Sequence, residues 1–333
     1  MSLVAVTPIK KESYFHHIKR FNPTRHLEGL ATLIERAFGE ELARTQSSMV
    51  RDMRQMAHWG SMLQMVHAIN PILRGYVWIE ENRVVGNVSL SSESDAVWRL
   101  SNVAVLPDFR GRGIAGHLVD RGIEHAKHHN VRYLILEVKP DNAVALNLYR
   151  HRGFEAFETL DEMYLSRASW PVFLEPFEED VRPVQASDAH ELYRLMLSSV
   201  SPERQRFFPV HAREFRRGFW QRLLQYVRLA FKDELLYELV GEHEQNIVAY
   251  GRAIAHLFHG PHELKIHVRP DQRGEWERKL ARGLLWGLHA LPRSRVRARI
   301  PAHHREAVEA LEILGFESVR ILKQMFLDLD QVY

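Results

Sequence analysis

The sequence predicts an α/β chain in which two similar folds follow one another. Three observations support this prediction. Residues 103–123 form an apolar strand, a glycine-rich loop and an amphipathic helix, and residues 134–157 form a second series of strand, turn, helix and strand. Short sequence patterns from both segments occur again 162 or 163 residues later in the chain. Alternating strand and helix patterns are typical of α/β folds, and their return indicates a tandem duplication.

The glycine-rich loop of the first segment is suited to hold an anion. Gly111 and Gly113 have no Cβ atom, so the neighbouring backbone N–H groups can turn toward one point. The helix that begins behind them adds a partial positive charge at its N-terminus. This combination predicts a binding site for a pyrophosphate-like group.

A dinucleotide site is the rival interpretation of this loop. Gly111-x-Gly113-x-x-Gly116 matches the dinucleotide fingerprint, and Glu137 lies at about the expected distance. In that fold, however, the first glycine ends the strand. Here residues 107–110 separate the strand from Gly111, and Glu137 lies within a strand of its own. A nicotinamide or flavin site is therefore disfavoured, whereas a ligand-free turn stays open for this segment taken alone.

The second segment has clear start and stop signals. Residues 134–138 predict a buried strand, and the Pro-Asp-Asn turn that ends at Asn142 predicts a helix start. The helix carries Tyr149, and it is predicted to end at Gly153 after three cations in its last turn. Phe154 then begins another strand.

The two segments resemble the two signatures of the GCN5-related N-acetyltransferase (GNAT) superfamily. Arg110, Gly113 and Ala115 occupy the fixed positions of its Arg/Gln-x-x-Gly-x-Gly/Ala loop. Residues 142–154 match its Asn-x-x-Ala-x-x-Leu-Tyr-x-x-x-Gly-Phe pattern at every fixed position. Residues 136–138, Leu-Glu-Val, look most like the branch that acetylates protein N-termini. The resemblance implies an α+β mixed sheet whose fourth and fifth strands splay apart.

The resemblance also implies acetyl-CoA as co-substrate, without a metal, and transfer of its acetyl group to a primary amine by direct attack on the thioester. The pantetheine arm is expected along the fourth strand and the pyrophosphate on the loop. Asn142 either contacts the pantetheine or only caps its helix. The cofactor-binding residues predicted in this way are Val103, Ala104, Val105, Arg110, Gly111, Arg112, Gly113, Ile114, Ala115 and Asn142.

Two residues are the predicted catalytic groups. Tyr149 occupies the family's position for the proton donor to the departing sulfur, and its alternative is a packed aromatic ring. Glu137, twelve residues earlier, is the predicted base that removes the amine's proton through water. Its alternative is a structural ion pair with a neighbour such as Arg132. The preceding strand offers only Ser101 and Asn102 for the role of base.

Matching segments place the boundary between the two copies. It is predicted near residue 170, which gives a catalytic domain of residues 1–170 and a degenerate domain of residues 171–333. The matching segments are Asp108-Phe109-Arg110-Gly111 with Asp271-Gln272-Arg273-Gly274, Gly153-Phe154 with Gly315-Phe316, and Glu162-Met163-Tyr164-Leu165 with Gln324-Met325-Phe326-Leu327.

At these offsets the second copy loses the residues that would carry the chemistry. Gly113 aligns with Trp276, whose ring is expected to fill the space of a phosphate, and Arg112 aligns with Glu275, which would repel it. The second copy is therefore predicted to keep the fold without a cofactor site. The other changes are Asn142 to His304, Tyr149 to Leu311 and Glu137 to Arg299.

The composition indicates a soluble, cytoplasmic enzyme. The chain has no cysteine, which excludes disulfides, thiolate zinc sites and a cysteine nucleophile. No segment is apolar enough for a signal peptide or a membrane span. The net charge of +3 reflects many arginines nearly balanced by acids, so solvated faces are favoured over a nucleic-acid surface. His256, His259 and His262 lack an acid in matching geometry, which disfavours a metal site.

Two classes of function remain open. The first is an acetyl-CoA-dependent N-acetyltransferase that acts on a small-molecule or peptide amine, with a homodimer as an open alternative for its assembly. The second is a non-catalytic acyl-CoA-binding sensor or scaffold. Tyr149 and Glu137 favour the enzyme. A methionine-rich stretch indicates either an adaptable pocket or a stripe that faces the core; its members are Met49, Met53, Met56, Met62 and Met65.

Overall fold

The computed structural model describes residues 16–45, 48–58, 74–171, 180–215, 234–257, 260–291 and 294–331. These residues fall into two compact units. The first unit holds the described residues up to Ala156 together with those from Gln324 onward. The second unit holds the described residues from Phe157 to Lys323.

The first unit is a mixed sheet with helices packed against it. Its strand order is β1-β2-β3-β4-β5-β12, in which the pair β4–β5 is parallel and the pairs from β1 to β4 are antiparallel. The elements are β1 (Ile18–Arg20), α1 (Pro23–Arg44), α2 (Met49–Ala57), β2 (Arg74–Glu80), β3 (Arg83–Ser92), β4 (Val97–Val105), α3 (Ile114–His128), β5 (Tyr133–Val138), α4 (Ala143–Arg150) and the end of β12 (Phe316–Asp328).

The second unit repeats this plan. Its strand order is β6-β11-β10-β9-β8-β7, in which β10–β11 is the parallel pair and the other registered pairs are antiparallel. The elements are β6 (Glu155–Leu165), β7 (Val181–Pro183), α5 (Ala189–Ser199), α6 (Pro202–Gln205), β8 (Glu234–His243), β9 (Asn246–His256), β10 (His262–Val268), α7 (Trp276–Leu288), β11 (Val296–Pro301), α8 (Arg305–Ile313) and the start of β12.

The compact units divide the chain differently from the repeat, because each copy gives its last strand to the other unit. β6 closes the sheet of the second unit, where Leu165 pairs with Val296 of β11. The end of β12 closes the sheet of the first unit, where Met325 and Leu327 are buried in the first core. Domains of 1–170 and 171–333 therefore describe the order of the copies, whereas packing separates the chain after residues 156 and 323.

Helix α2 explains the methionine-rich stretch. Met53 is buried in the first core, and Met49 and Met56 pack against it, so this stripe faces the core as helical spacing predicts. Met62 and Met65 lie outside the described residues. Among the helices that the structure describes, none has the length and hydropathy to cross a membrane.

Candidate active site

The two central strands of the first unit run together only at their beginnings. The register of β4 with β5 covers Val97 to Arg99 of β4 and Tyr133 to Ile135 of β5. Residues 100–105 of β4 have no registered partner on β5 within the described chain. The strands therefore diverge, as the resemblance implied, and leave one edge of β4 open toward the end of the sheet where the glycine loop begins.

A β-bulge shapes the open part of β4. The register with β3 shifts between Asn87 and Ser89, and Asn102 adopts a left-handed conformation with φ of 51°. The buried Asn87 amide donates to the Asn102 carbonyl at 2.9 Å and to the Ser89 hydroxyl at 3.1 Å. Bulges bend a strand and change the direction of its side chains. Here the bulge lies directly before Val103, the first strand residue predicted to contact a cofactor.

The glycine loop provides both donors and space. Gly111 and Gly113 have φ of 77° and 78°, a conformation that favours glycine. A Cβ atom at Gly111 would meet no atom within 4 Å, and one at Gly113 would meet only the His117 ring at 3.7 Å. The N–H groups of residues 111–116 donate to no acceptor among the described residues. This loop can therefore receive an anion at the N-terminus of α3.

The two loop arginines contact the protein in different ways. Arg110 donates from Nε to the carbonyl of Val105 at 3.2 Å, which ties the loop to the end of β4. Arg112 donates to the carbonyl of Asp108 at 3.1 Å and forms an ion pair with Glu80 at 3.4 Å. Exposed ion pairs of this kind are weak. The Arg112 guanidinium can therefore turn from Glu80 to a bound anion at little cost.

Among the described residues, two donors hold Glu137. Its Oε1 atom accepts from Arg99 at 2.7 Å and from the amide of Gln324 at 2.8 Å. Burial opposes the charge of Arg99, but its ion pairs with Glu137 and Glu93 outweigh this and raise its pKa. Arg132, the partner considered from the sequence, instead lies 3.5 Å from Asp330. The ion pair considered from the sequence is therefore present, but the partner of Glu137 is Arg99 of the neighbouring strand.

Tyr149 lies on the inner face of α4. Its residue is 6% exposed and its ring meets Phe154 edge to face with centroids 5.7 Å apart. Burial raises the pKa of Tyr149 to about 12, against the opposing charge of Arg152. The phenol is therefore protonated at neutral pH. No hydrogen-bond partner of its hydroxyl appears in the part of the chain that the structure describes.

Helix α4 brings Tyr149 toward the glycine loop. Arg152 binds Asp120 of α3 through two hydrogen bonds, at 2.5 and 3.0 Å. A Cβ atom at Gly116 would lie 2.7 Å from the Arg152 guanidinium and 3.8 Å from Leu148, so glycine allows this close approach. The C-terminal part of α4 consequently packs on the first turns of α3.

Asn142 caps helix α4. Its Oδ1 atom accepts from the N–H of Ala145 at 3.0 Å, which is the geometry of an N-cap. The capping role considered from the sequence is therefore present. Contact with a pantetheine arm stays a prediction, and the exposed position of Asn142 leaves room for it.

The structure shows that the sequence alignment of Trp276 with Gly113 is one residue out of place. The offset is 163 residues at the short turn before each loop but 162 at the helix starts, Ile114 and Trp276. The second loop is therefore one residue shorter, and the N-cap Gly113 corresponds to Glu275. Trp276 is buried in the core against Gly241, as Ile114 is buried in the first unit. The prediction that its ring fills the phosphate space was wrong, because the deletion moves it into the core.

A carboxylate closes the second loop instead. Glu277, which is 1% exposed, accepts from the N–H of Gly274 at 2.8 Å and lies 2.7 Å from Nε2 of His304. Burial alone would raise the pKa of Glu277, but the hydrogen bonds from His304 and the backbone outweigh it and lower the pKa. The protein's own anion thus occupies the donors of this loop.

The histidines near β10 take part in ordinary contacts. The His262 ring accepts from the backbone N–H of His256 at 3.1 Å, and His259 lies outside the described residues. No group of three or more histidines and acids with metal-binding geometry occurs among the residues that are described.

Comparison with known proteins agrees with this geometry. Residues 30–154 match the model of the acetyltransferase (GNAT) family. The chain is 38% identical over 68 residues to an uncharacterized N-acetyltransferase of Methanocaldococcus jannaschii, across 20% of this chain and 30% of that protein. It is 30% identical over 139 residues to the mycothiol acetyltransferase of Brachybacterium faecium, across 40% of this chain and 39% of that protein. The chain thus matches less than half the length of these relatives.

Two solved structures resemble nearly the whole chain. A tandem GNAT protein from the clavulanic acid biosynthesis pathway has a TM-score of 0.56 and 15% identity, and the match covers 94% of this chain and 98% of that one. A GCN5-related N-acetyltransferase from Sphaerobacter thermophilus has a TM-score of 0.59 and 14% identity, with 94% and 95% covered. At such low identity these likenesses concern the fold, and they confirm the predicted tandem of mixed α/β folds.

Proposed function

We propose that the first unit, which contains the residues 30–154 that match the acetyltransferase (GNAT) family, transfers an acetyl group from acetyl-CoA to a primary amine. One observation carries the proposal: the loop at Gly111 and Gly113 offers backbone donors and free space at the start of α3. The second unit lacks this arrangement because Glu277 occupies its loop. We therefore assign one acetyl-CoA site to each chain.

The residues of the first unit fit acetyl-CoA. The backbone of residues 111–115 would hold the pyrophosphate, with the Arg112 guanidinium near it. The open edge of β4 at residues 103–105 would hold the pantetheine arm, since strand edges pair with extended amide-bearing chains. When bound, acetyl-CoA supplies the acetyl group as a thioester. Side chains of the protein must then accept the proton that the amine loses and stabilise the departing sulfur.

Tyr149 is the proposed donor to the departing sulfur. A thiol has a pKa near ~8.5, well below the value of about 12 at which Tyr149 titrates. The phenol therefore keeps its proton in the resting state and stabilises the developing thiolate by a hydrogen bond. Complete transfer of the proton from the phenol to the sulfur is uphill, so water can complete it after the C–S bond has broken.

Glu137 is the proposed acceptor for the amine's proton. Arg99 and Gln324 fix the position of its Oε1 atom. The need for a base depends on the amine. An α-amino group with a pKa near ~8 is neutral in roughly one molecule in ten at pH 7, whereas an amine near ~10.4 is neutral in about one in 2,500. An alkylamine substrate thus depends on Glu137 more than a peptide N-terminus does.

Calorimetry with acetyl-CoA tests the proposal first. We expect one site per chain, and we expect Gly111→Val to abolish binding because its side chain fills the loop. Gly274→Val is the matched control, since Gly274 has a similar φ of 95° in the second loop. Two sites per chain, or equal loss of binding in both variants, would contradict the assignment to the first unit.

An acetylation assay then separates the enzyme from a binding module. Peptides with free N-termini and alkylamines are incubated with acetyl-CoA, and the released thiol is measured. Acetyl transfer to an amine is expected. Tight acetyl-CoA binding without turnover on any amine would favour the non-catalytic sensor or scaffold.

A further inference from the structure

The second unit retains the divergence of its central strands although its loop is closed. The parallel register of β10 with β11 covers His262 to Leu264 of β10 and Val296 to Ala298 of β11. Residues 265–268 of β10 have no registered partner on β11 within the described chain. The second sheet therefore opens at the same place as the first.

The charged residues at this opening share one face of the sheet. Leu264, Ile266 and Val268 are buried in the second core, and Gly251 of β9 lies against α7. Side chains alternate along a strand. Lys265 of β10 and Arg252 of β9 therefore lie on the face opposite α7, where they are cross-strand partners.

Neither cation of this pair forms an ion pair with an acid among the described residues. The nearby acids bind other groups: Glu263 binds Arg297, Glu158 binds Arg204 at 2.5 Å, and Glu238 accepts from the Tyr250 hydroxyl. No ion pair of Arg252 or Lys265 occurs among the described residues, and the Nε atom of Arg252 is buried without a hydrogen bond.

Carboxylates also lie beside the pair: Glu238 is the cross-strand partner of Arg252, and Glu263 lies two residues before Lys265. Desolvation, followed by the charge of Arg252, lowers the pKa of Lys265 against the attraction of Glu263, although the residue as a whole is exposed. Burial, then the charge of Lys265, lowers the pKa of His267 to about 3, so this neighbour is neutral at pH 7.

The fold does not require two cations here. Like charges that face each other across strands destabilise a sheet. At the corresponding positions of the first unit, 163 residues earlier, lie the neutral Ser89 and Asn102, which are within hydrogen-bond distance at 3.4 Å. The second copy thus has two facing positive charges at positions where the first copy, with the same fold, has two neutral residues. An anion placed between the two side chains would remove the repulsion and satisfy the buried donor of Arg252.

We propose that the second unit binds a small anion, through a phosphate or carboxylate group, between Arg252 and Lys265. The site is independent of the acetyl-CoA site proposed for the first unit. Its chemistry requires one group that accepts hydrogen bonds from a guanidinium and an ammonium together.

Titration calorimetry of the full chain tests this site with two probes, inorganic phosphate and citrate, at an ionic strength held constant with sodium chloride. Saturable binding of at least one probe is expected. Lys265→Gln and Arg252→Gln should each weaken it about tenfold or more, since each removes a charged hydrogen-bond donor. Which probe binds more tightly distinguishes phosphate from carboxylate ligands.

Two control variants complete the experiment. Arg278→Gln removes the same charge from an exposed position of α7 and should leave binding unchanged. Gly111→Val blocks the loop of the first unit, and the binding measured here should persist in it. Circular dichroism verifies that each variant is folded. The proposal would be overturned if neither probe showed saturable binding, or if Arg278→Gln weakened the binding as much as Lys265→Gln. It would also be overturned if, among the variants, only Gly111→Val lost the binding.

Discussion

The two units place opposite charges at the same point of the same fold. In the first, Glu137 of β5 accepts from Gln324 of β12. In the second, the corresponding residue of β11 is Arg299, and its cross-strand partner Glu162 comes from β6. In each sheet a residue of the last strand contacts this position, but the charge on the central strand is negative in the first unit and positive in the second. The fold therefore accommodates either sign of charge at this position of the strand.

The loops of the two units differ in a related way. The first loop directs donors toward free space, whereas Glu277 satisfies the second from within the protein. A side chain of the protein thus stabilises the second loop, whereas the proposed acetyl-CoA pyrophosphate would make the same contacts in the first. We expect substitutions at Glu277 to affect stability and substitutions around Glu137 to affect activity.

The largest effect is expected from Glu277→Ala. The substitution leaves the Gly274 N–H and the buried His304 ring without their acceptor, and breaking a buried pair such as Glu277–His304 costs about 3 kcal/mol. Urea unfolding measures the change. Glu275→Ala, at the exposed neighbouring position, should change the free energy of unfolding by less than about 0.5 kcal/mol. Similar losses in the two variants would contradict the role given to Glu277.

The same carboxylate predicts a dependence of stability on pH. The folded-state pKa of Glu277 is lowered relative to the unfolded chain. Its contribution is therefore fully present above the unfolded pKa, near ~4.3, and is lost as the pH falls through the folded value. In Glu277→Gln the decline of unfolding free energy below about pH 4 should be shallower than in the wild type. An unchanged decline would assign it to other acids.

The second largest effect is expected on turnover from Tyr149→Phe. The variant keeps the ring that packs on Phe154 and removes only the hydroxyl. Turnover should fall about 100-fold, the lower end of general acid–base effects, because a thiolate is already a fair leaving group. The affinity for acetyl-CoA, measured by calorimetry, should hardly change. If turnover survives intact, Tyr149 is only a packed aromatic ring.

A smaller, pH-dependent effect is expected from Glu137→Gln. On a peptide N-terminus the variant should lose up to about tenfold in rate at pH 7 and recover as the pH rises past ~8, because the free amine is then neutral without a base. The rate of acetyl transfer between pH 6 and 10 checks this. Equal rates of variant and wild type throughout that range would make the carboxylate structural.

The smallest effect is expected from Gln324→Leu, which removes one of the two donors to Glu137. The remaining contact with Arg99 keeps the carboxylate near its place, so kcat should fall only about threefold, which corresponds to less than 1 kcal/mol. The alkaline dependence of the rate should shift in the same direction as in Glu137→Gln, while KM for acetyl-CoA stays constant. Gln331→Leu, at an exposed position, is the control. An unshifted pH profile would remove Gln324 from the site.

The parts of this molecule that sequence reasoning predicted are those set by neighbouring residues. The glycine loop, the N-cap at Asn142 and the end of α4 a few residues before Gly153 depend on local backbone conformation, which nearby residue types determine. Arg99 and Gln324 were missed because they reach Glu137 from positions 38 and 187 residues away. No local pattern marks such contacts.

Two further differences have physical explanations. The misalignment of Trp276 arose because one residue is deleted between Arg273 and the helix, and a loop absorbs a deletion without changing the motifs on either side. The exchange of last strands could not be predicted, because the matching segments of β6 and β12, residues 162–165 and 324–327, have similar sequences. Sequence similarity identifies equivalent strands, but it does not identify their partners.

The exchanged strand has a consequence during translation. The core of the first unit includes Met325, Leu327 and Leu329, so its sheet stays open until the ribosome has synthesised those residues. Domains usually fold as units, beginning with the N-terminal one as it emerges. In this chain the earlier half must wait for the later half, and the apolar edge of β5 needs protection meanwhile. The nascent chain is therefore expected to be a client of ribosome-associated chaperones, and ribosome profiling of chaperone-bound chains would reveal the interval.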